Sequence, residues 1–205
     1  MGWLRGLFQS TPPPAPPDHA AFLQRLESLD FFTHSSPDSL QRIRAEILRL
    51  GWPGVFAHER RCFHADAEEL AEGGVLGFLE EVSPFLAAEG VAVPDTQDHI
   101  TEDNYKLRWA GQEHLVYDAS DLAREEKEPG RLWAIATVRT FSLVNGLLGS
   151  TRSQERLYAV NGGNDLFGLF LTPSQLAEVL AYAGNDARGV PYEVQDAPPW
   201  YGARE

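Results

Sequence analysis

The stretch Arg156 to Tyr182, RLYAVNGGNDLFGLFLTPSQLAEVLAY, constrains this 205-residue chain more than any other, because three kinds of local signal agree in it. Asn161-Gly162 suits the positive φ values of a tight primed turn, and apolar runs flank it, Leu157 to Val160 and Leu166 to Leu171. The pattern predicts a β-hairpin. Its second strand is apolar at both parities, which predicts a central strand covered on both faces. Thr172 offers an N-cap oxygen and Pro173 suits the first helical position. A helix should therefore follow with Leu176, Val179 and Leu180 inward, closed by Gly184-Asn185.

Upstream, Asp18 can cap a helix carrying Phe22, Leu26 and Leu29. Ser36-Pro37 opens a second, with Leu40, Ile43, Ile47 and Leu50 as its apolar stripe and Gly51 and Pro53 as its stop. From Asp66 a third helical stretch begins, interrupted at Gly73-Gly74 and near Pro84, with Val75, Leu79, Val82 and Leu86 as the buried set. Tyr105 to Trp109 and Glu113 to Tyr117 read as a second hairpin with a three-residue loop. That register sets Arg108 opposite His114 and Leu107 opposite Leu115. Arg131 to Leu148 satisfies both strand and helix patterns, and its length favours helix.

These elements predict an α+β fold: N-terminal helices, then two β-hairpins alternating with helices, giving one mainly antiparallel sheet of about four strands. Three segments are expected. Residues 1–17 hold an apolar peptide and a proline-rich spacer, residues 18–187 a single domain, and residues 188–205 an extended arm. Trp3, Leu4, Leu7 and Phe8 lie at helical spacing in the first segment and offer weak membrane contact, since a single Arg accompanies them. No uninterrupted run of about 18 apolar residues occurs, and one cysteine, Cys62, excludes an internal disulfide framework. A cytoplasmic location is expected.

The formal charge of −13 argues against general nucleic-acid binding, which needs clustered Lys and Arg. Its distribution is uneven. Asp66 to Asp103 contains eleven acidic residues and no Lys or Arg. Such a block is a solvated helix face in the commonest case. It lacks the D-x-D-x-D-G spacing of a calcium loop. As an interface it would steer a basic partner, and the segregation exceeds what solubility requires. The partner-binding candidates are Glu68, Glu69, Glu72, Glu80 and Glu81, together with the tail aromatics Trp200 and Tyr201.

No nucleophile elbow, phosphate loop or dinucleotide fingerprint appears, and no cofactor is expected. Arg108 and His114 across the second hairpin, with Asp118 beyond, form the acid–base candidates. His58, Cys62 and His64 in HERRCFHAD are the metal-ligand candidates, opposed by the intervening Arg60 and Arg61. In size, acidity and helix–hairpin make-up the chain resembles the small cytoplasmic immunity or inhibitor proteins that bacteria pair with basic toxins. The likeness rests on no specific motif and carries over no residue. The expected function is non-enzymatic binding of a basic protein. The alternatives are an enzyme on the Arg108/His114 face and a membrane accessory protein tethered by residues 3–8.

Overall fold

The computed structural model describes residues 18–92, 94–184 and 189–196. Trp3, Leu4, Leu7, Phe8, Trp200 and Tyr201 lie outside them. The fold is mixed α+β, with seven helices and six strands among the described residues. The strands form two antiparallel sheets of three rather than one of four.

Local chemistry sets the helix starts. The Asp18 carboxylate accepts from Ala21 N ahead of α1 (His19–Ser28), and Ser36 Oγ accepts from Ser39 N ahead of α2 (Pro37–Leu50). Gly51 ends α2 at φ 69°, a conformation that favours glycine, and leads into a 3₁₀ turn, Trp52–Ala57. A short strand β1 (Cys62–His64) follows. Asp66 then caps α3 (Ala67–Glu69), and a π-turn, Leu70–Gly74, kinks at Gly73 into α4 (Val75–Ala88). Val75, Leu79, Val82 and Leu86 are all buried, as their spacing predicts. Pro84 is accommodated inside α4 without ending it.

The second sheet is β2 (Thr96–Ile100), β3 (Tyr105–Trp109) and β4 (Gln112–Tyr117), in that order. The hairpin between β3 and β4 closes on two residues, not three. Ala110 and Gly111 both take positive φ, 51° and 78°, so Trp109 faces Gln112 and Arg108 faces Glu113. Leu107 is therefore opposite His114, and an irregularity between Tyr105 and Lys106 restores Tyr105 opposite Tyr117. Asp118 then caps α5 (Ala119–Glu125), and α6 (Arg131–Gly149) confirms the helical reading. By length and composition α6 is able to cross a membrane, but here it packs against β4, β5, α5 and the π-turn.

The remaining elements are β5 (Arg156–Val160), a 3₁₀ turn at Gly163–Asp165, β6 (Phe167–Leu171) and α7 (Pro173–Ala183). The hairpin is present, but its loop is wider than a primed turn. Asn161 and Gly163 take positive φ, whereas Gly162 is extended at −168°. A full capping box joins Thr172 and Gln175 at the start of α7. Leu180 is 40% exposed rather than inward, and Gln175 is buried in its stead, with Nε2 donating to Leu29 O.

β6 is central in the first sheet, in the order β1-β6-β5. Its alternating residues enter two cores. Phe170, with Leu157 and Ala159 of β5, joins Phe78, Phe85 and Phe141 from α4 and α6. Leu169 and Leu171, with Tyr158 and Val160, join Phe22, Ile43 and Ile47 from the N-terminal helices, Phe31 from the turn after α1, and Val179 from α7. Each fully buried Leu, Ile or Phe contributes roughly 2 kcal/mol, so both faces of this strand are strongly held. Gly168 lets the helical layer approach: a Cβ there would lie 2.9 Å from Leu157 Cδ1 and 3.5 Å from the Phe78 and Phe141 rings. Within residues 189–196, Tyr192 forms an antiparallel bridge to Ala159 and donates its hydroxyl to Asn161 O.

Candidate functional site

Two features stand out, an acidic surface around α4 and β2 and a polar cluster buried between the elements. Of the eleven acids between Asp66 and Asp103, eight are exposed: Glu69, Glu72, Glu80, Glu81, Asp95, Asp98, Glu102 and Asp103. The other three are engaged. Asp66 caps α3 by accepting from Glu68 N and Glu69 N, Glu68 accepts from Asn164 Nδ2, and Glu89 enters the buried cluster.

The exposed acids join across elements. Glu80 and Asp95 line one depression beside Trp109, and Glu69 and Glu81 line another on the opposite flank of α4. Ile100 of β2 lies against Gly73, next to Glu72, and is 47% exposed. Asp98 has the parity of Leu107, which directs it to the α4 side of its sheet. None of the eight forms an ion pair among the described residues. Around the N-terminal helices, by contrast, Glu27, Glu46 and Glu59 are paired to Arg44, Arg49 and Arg42.

The buried cluster is built from four distant segments. Arg61, 1% exposed, places Nη1 and Nη2 2.8 and 2.9 Å from the two Glu155 oxygens. It also donates to the carbonyls of Phe31 and Phe170, and its guanidinium lies 5.1 and 5.6 Å from the Phe31 and Phe85 ring centroids. His34 Nε2 sits 2.9 Å from Glu89 Oε1, with its ring 4.6 Å from that of Phe85. Ser153 Oγ donates to Glu89 Oε2 and accepts from Glu155 N. Burial and then Arg61 push His34 below the usual histidine value, against the opposing pull of Glu89 and Glu155. At neutral pH the His34–Glu89 contact is therefore a hydrogen bond from a neutral imidazole to a carboxylate. No local sequence signal marks this cluster; Arg60 is exposed and Arg61 buried within one charged run.

The structure does not bring the acid–base candidates together. Arg108 is exposed and 3.9 Å from Glu113, whereas His114 has the opposite parity and faces the groove beside α6. That two-residue turn, absent from the expected register, is the physical reason they part. The Asp118 carboxylate is committed to capping α5, where Ser120 and the Asp121 N–H hold it below its usual value. The open groove between β4 and α6 has a volume of about 640 Å³ and is lined by His114, Leu115, Arg139, Leu143 and Leu147, among others.

The three candidate metal ligands also separate. His58 is fully buried with Nε2 2.9 Å from Ser35 Oγ. His64 lies at the surface with Nε2 3.2 Å from Asn164 O. Cys62 packs with the N-terminal core, and burial pushes its thiol up to about 12, away from the thiolate that binds metal. Among the described residues the group that does converge is a different one, His34, Glu89 and Glu155, with one ligand atom from each all within 4.8 Å. Comparison with family models, with curated proteins and with solved structures finds no match to this chain.

Proposed function

We propose that this is a non-enzymatic binding protein that holds a basic protein partner on the surface formed by α4, the π-turn and β2. The observation that carries the reading is the uncompensated charge: eight exposed carboxylates without an ion-pair partner among the described residues. A one-signed surface raises the encounter rate with an oppositely charged protein and repels acidic competitors. Exposed Ile100 and the depression beside Trp109 supply apolar contact within the charged rim. The cytoplasm is the proposed location.

Capture from a host lysate at low salt and again at about 0.5 M salt, where screening contracts to a few ångströms, identifies the partner. The deciding measurement is its association rate to a chain carrying Glu72→Lys, Glu80→Lys and Glu81→Lys. The rate should fall at least tenfold at low salt, with the unfolding midpoint little changed. An unchanged rate refutes the reading.

A further inference from the structure

We propose that His34, Glu89 and Glu155 form a binding site for a divalent transition-metal ion, with Zn²⁺ as the ion that best suits the donor set. The site is separate from the acidic surface and independent of the partner reading. One imidazole nitrogen and two carboxylate oxygens are donor types that zinc accepts, and a water can complete a tetrahedral set as fourth ligand. The three ligand atoms lie within 4.8 Å of one another, with His34 Nε2 and Glu89 Oε1 2.9 Å apart. In a tetrahedral site with bonds of about 2.0–2.1 Å, ligand atoms sit roughly 3.3 Å apart. Small side-chain rotations therefore close the set on an ion.

These ligands are held from behind. The side chains of Glu155, His34 and Glu89 are 7%, 11% and 17% exposed, which sets them apart from a solvated acidic cluster. Ser153 fixes one oxygen of Glu89 and leaves the other toward His34. Arg61 fixes both oxygens of Glu155 and is itself fixed by two carbonyls. Outer partners of this kind orient metal ligands, and each carboxylate oxygen keeps a second lone pair for an ion.

The charges also leave room for a cation. Two carboxylates face one fixed cation, Arg61, so among the described residues Glu89 has a hydroxyl and an imidazole for partners. Buried charges are ordinarily paired or bound to metal. An ion here would tie the loop after α1, the end of α4 and the segment before β5 together, so binding would stabilise the fold.

The test uses the full chain freed of metal by a chelator. Co²⁺ titration should give visible d–d absorption at one equivalent, and Zn²⁺ should raise the unfolding midpoint. Glu89→Gln keeps the shape and one acceptor oxygen, with the amide NH₂ donating at the other position, but removes the charge, and should weaken Zn²⁺ binding at least about tenfold. His34→Ala should do the same, while His99→Ala leaves binding intact. If either variant does not fold, paramagnetic Co²⁺ shifts at the His34 and Phe85 rings of the unaltered chain locate the ion. Absence of Co²⁺ absorption and of a Zn²⁺ effect at millimolar metal overturns the proposal. So does binding that survives in Glu89→Gln and His34→Ala, or Co²⁺ shifts that fall elsewhere.

Discussion

The fully buried His58 makes stability depend on pH in a way that one substitution can isolate. Its Nε2 contacts Ser35 Oγ, its ring stands edge-on to Phe31 at 5.2 Å, and Nδ1 has no hydrogen-bond partner among the described residues. Burial first, and then the neighbouring Arg61, lower its pKa from 6.5 to about 3, with Glu59 pulling weakly the other way. A histidine whose folded pKa is depressed takes up its proton more readily in the unfolded chain. The stability is therefore complete above pH 6.5 and is lost as the pH falls toward 3.

Each unit of that window corresponds to about 1.4 kcal/mol, so the loss from this one group is about 2 kcal/mol at pH 5 and about 4 kcal/mol near pH 3. His58→Leu fills similar space and cannot be protonated. Urea unfolding of both chains at pH 7 and pH 5 separates the effect from other titrating groups, since His34 and Glu59 remain in each. Relative to the unaltered chain, the variant should gain about 2 kcal/mol between pH 7 and pH 5. A difference between the chains that stays constant within about 0.5 kcal/mol across that range refutes the reasoning.

Gly54 allows the 3₁₀ turn to lie directly on α2, since a Cβ there would stand 2.4 Å from the Glu46 carbonyl and 2.5 Å from Ile47 Cα. Both obstacles are backbone and cannot rotate aside, so Gly54→Ala should cost about 3 kcal/mol in urea unfolding; a cost under about 0.5 kcal/mol would show that the two segments are not in contact. Ala110 holds a positive φ in the β3–β4 turn without the side-chain bonding that suits asparagine to that conformation. Ala110→Asn should stabilise the chain by about 0.5–1 kcal/mol, and a loss of stability would contradict the two-residue turn.

Much of the helical frame was legible because its signals are local. The Ser36-Pro37 and Thr172-Pro173 pairs mark helix starts by backbone chemistry, and the spacing of Val75, Leu79, Val82 and Leu86 marks a buried stripe. The β3–β4 register was not legible, because Ala110 carries no sequence mark of a left-handed conformation and a one-residue difference in loop length shifts every cross-strand pair. β1 and β2 escaped for a related reason. One is three residues long, and the other is an almost wholly exposed edge, TQDHI, with no apolar alternation.

By itself, then, the sequence determined the α+β class, the caps at Asp18, Ser36 and Thr172, the central place of the strand ending at Leu171 and the segregation of eleven acids into one block. These follow from short-range sterics, hydrogen bonding and burial periodicity, which each segment carries alone. Only the tertiary structure decided which acids stay unpaired and which polar residues meet in the interior. Arg61 finds Glu155 across 94 positions and Ser153 finds Glu89 across 64. Nothing in a local window distinguishes Arg61 from Arg60 or Glu89 from Glu81. The difference arises when the two cores close on the sheet and leave each buried charge to be answered by whatever the fold brings beside it.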